Sequence, residues 1–412
     1  MHRLLGETRK YAWGSRTLLP RFLGTSPDGD PQAELWLGAH PGAPARTPDG
    51  RTLIDLIAAD PPRVLGTTVA ERFGRRLPFL MKALAAAEPL SLQVHPTAER
   101  AREGFERENA AGIAVGSPTR NYQDASHKPE LLYAVTRFEG MAGFRDVARS
   151  AEILRMLELP WADEMAGELL RGGADEALHR VVTEVLALGH GELTEMLEGL
   201  TKAARIAEER SHARRPPTSR WHRNRTAVGR EAARLYAQTA ALAERYPRDP
   251  GVLVTLLLNH VVLAPGEAVF LDAGMVHAYT SGFGIEIMAA SDNVVRAGLT
   301  SKHVDIPELL EVADFRPVDP PLCAPDRVDA GLVRFRPGVE DFVLYVGDAP
   351  TDRLPATGPR ILLVLDGHVE VGTDRDRDRA VLERGASVFV GADEGALQVT
   401  GDGRVAVGTV GG

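Results

Sequence analysis

The sequence predicts a mainly β protein with an α-helical domain inserted into its β core and a second β unit at the C-terminal end. Three observations carry this. β-type sequence stands on both sides of a helical block, the block itself has a 3.6-residue apolar period, and a twelve-residue repeat ties the β segment after the block to the end of the chain.

Residues 1–145 are rich in Gly, Pro and aromatics, with short apolar runs such as "LPFLMKAL" and "ELLYAV", and read as strands and loops. From about 146 to 246 the pattern changes. In "DEALHRVVTEVLAL", Leu178, Val181, Val182, Val185 and Leu186 recur at i, i+3, i+4, i+7, i+8, one stripe of an amphipathic helix. Flanking segments rich in Ala, Leu, Glu and Arg extend the block, and Pro247 and Pro250 close it. Strand patterns return in "GVLVTLLLNHVVLAPGEAVFLDAGMVHAY". Beyond 330, "RILLVLDGHVEVG" reads as two strands joined by a hairpin at Asp366-Gly367, since that turn needs φ > 0, and "SVFVG" reads as another strand. The expected organisation is a core of 1–145 and 251–329, an inserted helical domain of 146–250, and a C-terminal β domain of 330–412. In the repeat, "GEAVFLDAGMVH" (266–277) aligns without gaps on "GASVFVGADEGA" (385–396), which suggests two related β-barrel units. His277 in the first copy faces Ala396 in the second, so a metal site is expected in the first unit only.

The 412 residues carry 48 basic and 57 acidic side chains, a formal net charge of −9. Such mild acidity argues against nucleic acid as a partner, because phosphate-backbone binding wants a basic surface. A single cysteine, Cys323, leaves no internal disulfide and fits a reducing compartment. The N-terminal residues lack a sustained apolar run, so no secretory signal is expected, and the most apolar stretch is interrupted by Asn259 and His260. A cytoplasmic protein without membrane contact is the expectation.

Four stretches carry side chains suited to chemistry. In "SLQVHP", Ser91, Gln93 and His95 alternate with Leu92 and Val94, so one strand face holds three polar groups. Either that face is simply solvated or it presents metal ligands. "HKPELLY" puts Lys128 and Glu130 on one face, and "LDAGMVHAY" puts His277 just after a glycine turn. Each has a plain structural reading alone; together Gln93, His95, Glu130 and His277 form an N/O ligand set suited to a borderline divalent ion such as zinc. In "GIEIMAASDNVVRAGLTSKH", Glu286 and Met288 share one strand face and Ile285 and Ile287 the other, followed by Asp292, Asn293, Arg296, Ser301 and Lys302. A solvated loop would tolerate this run, but Arg and Lys beside a metal site also suit an anionic substrate.

At these residues the chain resembles the type I phosphomannose isomerase family, zinc enzymes of cupin fold. The likeness runs through "YAWGS", "AELWLGAHP", "PFLMKAL", "SLQVHP", "HKPELLYA", "FEGMAGFR", "LLLNHVVLAPGEAVFLDAGMVHAY" and "GIEIMAASDNVVRAGLTSKH", most of 1–145 and 251–315. It implies a cupin-type jelly-roll β-barrel core, a second cupin-like barrel, and one Zn2+ per chain held by Gln93, His95, Glu130 and His277. It further implies a catalytic Arg296, with Lys128, Asp292 and Glu286 in the pocket, and Lys82, Ser91 and Lys302 on the phosphate side, where Trp13 and Tyr279 also meet substrate. The implied reaction interconverts mannose 6-phosphate and fructose 6-phosphate through an enediol in a monomer. Lys128, Asp292, Glu286 and a metal-held water stand as alternatives for the base. Two other readings are a cupin oxygenase, which two His and one Glu would also suit, and a sugar-phosphate-binding cupin without catalysis. The chain departs from the family at Asp272, usually Pro, and at Gln123, usually Lys. The basic segment from Arg210 to Arg225 matches no family motif and reads as a solvated loop or as a cationic lid.

Overall fold

The computed structural model describes residues 1–212, 220–375 and 379–411; the centre of the basic segment 210–225, and with it the lid reading, lies outside them. Two antiparallel sheets form the β part. The larger has ten strands in the order Val295–Gly298, Leu92–Val94, His277–Ala289, Phe79–Ala86, Glu34–Leu37 and Glu7–Arg9. Its hub is His277–Ala289, whose second half lies between Phe79–Ala86 and Glu130–Ala134 and whose first half pairs with Gln93 and with Phe138–Phe144. Leu258–Leu263 and Ala268–Leu271 extend it.

The second sheet has eight strands, among them Val343–Asp348, Arg360–Thr373, Ser387–Val390 and Leu397–Thr409. Two of its members come from outside 330–412. Asp326–Asp329 pairs with Leu332–Phe335, and the N-terminal strand His2–Leu4 pairs with Ser387–Phe389. Among the described residues the hydrogen-bonded ladders leave both sheets open rather than closed into barrels.

Period-2 geometry decides what each face of the large sheet does. Met81, Ala83, Ile285 and Ile287 point into a core shared with Phe335, Leu344, Ile361 and Leu363 of the second sheet. Lys82, Glu286 and Met288, one residue out of phase, are thereby turned to the opposite face, where the candidate site lies. Ile287→Ala should lower stability by about 2–5 kcal/mol, read as a shifted denaturant midpoint, through the cavity left between the sheets.

The helical block contains Val147–Arg155, Pro160–Leu169, Ala174–Leu186, His190–His212 and Arg220–Arg245. In Ala174–Leu186 the five stripe residues are all buried, and they join a cluster with Leu92 and Val94 of the large sheet. The repeat is real in backbone terms: Ala268–Leu271 and Ser387–Val390 occupy the same four positions, each preceded two residues earlier by a turn glycine, Gly266 at φ 97° and Gly385 at φ 83°.

Three expectations need correction. The reading of 1–145 as strands and loops missed helices Leu18–Phe22, Leu53–Ala59, Pro61–Leu65, Thr67–Phe73 and Ala98–Ala110. Their caps were visible in part: Thr52 and Asp55 form a capping box, and Thr97 caps the fifth helix. Gly251–Thr255, read as strand, is a short helix, because an apolar run buried on all sides has no period to distinguish the two, and the strand begins only at Leu258. Asp366-Gly367 is not a hairpin turn. Gly367 does have φ 70°, yet Arg360–Thr373 runs straight through it, with a register shift between Val364 and Asp366 against Leu397–Thr409. The positive φ serves a bulge, and a Cβ there would sit 2.2 Å from the Asp402 carbonyl.

Candidate active site

Leu92–Val94 lies between two strands, and Gln93 is the register partner of both His277 and Arg296. Directly opposed residues of antiparallel strands project to one side, so His277, Gln93 and Arg296 form a row across three strands. His95 follows two residues on. Glu130 opens its own strand opposite Met288.

The ligand atoms of His95, Glu130 and His277 all lie within 4.8 Å of one another, and all three residues are buried. His95 Nε2 is 3.2 Å from Glu130 Oε1, and His277 Nε2 is 3.5 Å from Glu130 Oε2. Each imidazole is held from behind: Nδ1 of His95 donates to the Asn293 carbonyl at 2.8 Å, and Nδ1 of His277 to that of Met275 at 2.9 Å. A ring that donates through Nδ1 turns a bare Nε2 lone pair forward. Burial, with the nearby Lys128 charge, pushes His95 down to about 4, so this ring is neutral near pH 7. Burial would raise Glu130, but Lys128, with Nζ 3.1 Å from Oε1, and the histidines hold it well below the usual carboxylate range. His95 Nε2 and Glu130 Oε2 are buried without a hydrogen-bond partner. Lone pairs converging with no proton between them are costly alone and fit a divalent cation. The Gln93 amide nitrogen lies 3.4 Å from His277 Nε2, and the amide turned end for end presents its oxygen as a fourth ligand.

Beside this trio is a cleft of about 240 Å³ lined by Trp13, Lys82, Ser91, Gln93, Lys128, Glu130, Tyr279, Glu286, Asp292, Arg296 and Lys302. It is smaller than two clefts along the helical block, of about 690 and 740 Å³, but among the described residues the only metal-ligand trio stands here. Its cations differ in kind. Lys82 is buried with Nζ 2.7 Å from Glu286 and 3.5 Å from Glu34. Burial works against its charge, yet Glu286, Glu34 and Glu130 keep it protonated, while burial pushes Glu286 up despite that lysine. Lys82 is thus already matched by carboxylates. Arg296 and Lys302 have no side-chain hydrogen bond or ion pair among the described residues, burial lowers both, and Arg296 adds its repulsion to Lys302. A part-buried arginine beside an exposed lysine, neither partnered among the described residues, has the chemistry to receive an anion. Trp13 stacks on Tyr11, ring centroids 5.7 Å apart, on the cleft wall.

Every site residue expected from the sequence therefore belongs to this cleft or its metal trio. Glu34, Trp36 and His40 were not singled out, and Asn293, named only within its polar run, was given no part in holding His95. Glu34 accepts from the Trp36 indole at 2.8 Å, and Lys82 Nζ lies 5.3 Å from the centre of the Trp36 ring. Alternation of Glu34 and Trp36 in "AELWLG" was the available clue. The two departures from the family lie off the ligands: Gln123 bonds the Gly116 amide and the Arg120 carbonyl, and Asp272 accepts from the Ala273 amide. His127 reaches Asp341, Nε2 to Oδ2 2.8 Å, and this partner raises its pKa.

Sheet and site together define a metal-dependent enzyme of β architecture acting on a small anionic molecule. The profile "Phosphomannose isomerase type I, catalytic domain" matches residues 1–147. The chain is 38% identical to the mannose-6-phosphate isomerase of Salmonella typhimurium, covering 98% of each sequence, and 32% identical to that of Homo sapiens, covering 94% of this chain and 92% of the human one. A crystal structure of the Salmonella typhimurium enzyme bound to its substrate and zinc matches with TM-score 0.84 at 35% identity, over 100% of this chain and 99% of the other. So does a mannose 6-phosphate isomerase structure bound with zinc and yttrium, with the same score, identity and coverage. The chain belongs to the type I phosphomannose isomerase family. Among the described residues no helix is long and apolar enough to cross a membrane.

Proposed function

We propose that the protein is an aldose–ketose isomerase interconverting mannose 6-phosphate and fructose 6-phosphate. The observation that carries this is the buried His95–Glu130–His277 trio beside Arg296 and Lys302, both unpartnered among the described residues, in a chain of this family. One Zn2+ per chain, held by Gln93, His95, Glu130 and His277, would supply a Lewis acid beside the reacting carbons. The protein's own groups do the rest. Lys302 and Ser91 receive the phosphate, fixing the far end of the sugar so that binding energy positions C1 and C2. Trp13 and Tyr279 wall the sugar, and Lys82 orders Glu286 and Glu34. Arg296 places a fixed positive charge where the enediol oxygen becomes negative. Proton transfer needs a group at the cleft wall. Lys128, Asp292 and Glu286 all stand there, Lys128 facing Glu130 at 3.1 Å and Glu286 facing Lys82 at 2.7 Å. The base takes the C2 proton, the C–H electrons become the C1–C2 double bond, and the C1 carbonyl π pair moves onto O1, which takes up a proton to give the enediol; the carbon-bound proton then returns at C1 as O2 gives up its proton and C2 becomes the carbonyl. The oxygenase alternative is disfavoured by the unpartnered cations and by Gln93 as a fourth ligand.

In the same reading, the ten-stranded sheet is a cupin-type jelly roll built from 1–145 and 251–329 less the strands His2–Leu4 and Asp326–Asp329, with 146–250 inserted, and 330–412 with those two strands forms a second cupin-like unit. The shared strand and turn glycine of the repeat support this, and the N-terminal strand His2–Leu4 ties the two together. A cytoplasmic monomer completes the proposal, resting on the lone Cys323 and the family likeness.

The test is a coupled assay of fructose 6-phosphate formation from mannose 6-phosphate before chelation, after it, and after zinc is restored. Activity should vanish and return. No turnover in any state, with metal content confirmed, rejects the assignment.

A further inference from the structure

Asp292 does not hang free in the cleft. Its Oδ2 lies 3.0 Å from Nε2 of His40. Nδ1 of His40 accepts the Gly42 amide hydrogen at 3.1 Å. An imidazole that accepts at Nδ1 carries its proton on Nε2, so the neutral ring donates to the carboxylate. His40 is only 8% exposed and stands edge-on to Trp36, ring centroids 4.9 Å apart at 88°. From the other side, the Asp292 amide donates to Asp124 Oδ2 at 3.0 Å, and the Ser291 hydroxyl donates to the same carboxylate at 3.0 and 3.1 Å. Asp292 is thus pinned at its backbone and at one oxygen. Oδ1 has no hydrogen bond among the described residues, and the side chain lines the cleft.

We propose that His40 is a positioning residue of the isomerase, donating from Nε2 to Asp292 Oδ2 so that Oδ1 is presented to the sugar. This rests on the reading in which Asp292 acts in the cleft. The arrangement has the logic of a catalytic group oriented by a partner that never touches substrate. Trp36 and His40 are buried, while the Asp292 side chain is half exposed, open to the cleft. The charges facing the pair are Lys128 and Lys82 across the cleft, the Asp124 carboxylate at the Asp292 amide, and Arg9, whose guanidinium reaches the Gly42 carbonyl at 3.5 Å. Burial raises Asp292, and the His40 hydrogen bond with those two lysines outweighs it, so the carboxyl sits below its ordinary value. Loss of the donor should therefore raise it.

The experiment compares His40→Leu, His40→Gln, Asp292→Asn and the double variant His40→Leu/Asp292→Asn as zinc-loaded enzymes, with zinc content and melting temperature recorded for each. His40→Leu should lower kcat about 10- to 100-fold with KM for mannose 6-phosphate within about threefold. The acid limb of its kcat/KM profile should move to higher pH, because the carboxylate is then protonated sooner. His40→Gln, which still offers an N–H, should recover most of the rate, and the double variant should be no slower than Asp292→Asn alone. Asp292→Asn inactive with His40→Leu near wild type overturns the role of His40 alone. A loss in His40→Leu with an unmoved acid limb and no rescue by Gln also overturns it, as a merely structural effect. Full activity in Asp292→Asn removes the reading of Asp292 itself and the proposal with it. Should His40→Leu fail to fold, His40→Asn, polar but too short to reach Oδ2, takes its place with the same expected results.

Discussion

His277→Ala should leave the protein folded, nearly free of zinc and without measurable isomerase activity. The imidazole supplies one of the three convergent lone pairs, and its loss does more than subtract a ligand. Glu130 Oε2 is buried with His277 as its neighbour at 3.5 Å, and the Gln93 amide has the same ring at 3.4 Å. Both would face an empty, water-sized gap in place of a fixed partner. Changes merely behind a metal ligand weaken metal binding or activity by about 10- to 100-fold, so removal of a ligand should exceed that. Zinc per chain after dialysis, measured by atomic absorption beside turnover, decides it. A full equivalent of zinc in the variant would reject the ligand set.

Arg296→Ala should do the opposite to the metal. Its side chain shares a row with Gln93 and His277 but bonds to neither, and among the described residues it has no ion-pair partner to strand when removed. Zinc content should therefore stay near one per chain. Turnover should fall ~10²-fold or more, the scale of losing a preorganised group that stabilises a developing oxyanion. Arg296→Lys should recover little, since a point charge on a flexible stem does not reproduce a planar fork. Turnover near that of the parent protein would end the catalytic role of Arg296. The two variants separate the metal from the charge, and together they divide the cleft into its two working halves.

Much of this was legible before any coordinates. The stripe from Leu178 to Leu186 became a helix with those five positions buried, because a 3.6-residue period constrains one segment by itself. The alternation of Ile285 and Ile287 with Glu286 and Met288 became a strand with a core face and a cleft face, for the same local reason. The split of the repeat at His277 and Ala396 likewise followed from two residues in one aligned position.

Other features had no local signature. Gly367 needed φ > 0, but a turn and a bulge both satisfy that need, and only the partner strand Leu397–Thr409 running past it selects the bulge. Gly251–Thr255 is buried throughout, so burial on every side erased the period that would have revealed a helix. The pairing of His2–Leu4 with Ser387–Phe389 joins the two ends of the chain.

By itself, then, the sequence determined which residue types alternate, which stripe is apolar, and which four side chains could share a divalent ion, because periodicity and ligand chemistry belong to single segments. The tertiary structure alone decided how those side chains are aimed and paired. The carbonyls of Asn293 and Met275 turn the two histidines, and any residue could have supplied them. Glu34 and Glu286 neutralise Lys82, while Arg296 and Lys302 have no partner among the described residues, and His40 meets Asp292 from a distant part of the chain. Orientation and charge balance are properties of groups brought together from distant segments, and no single stretch of sequence holds both partners.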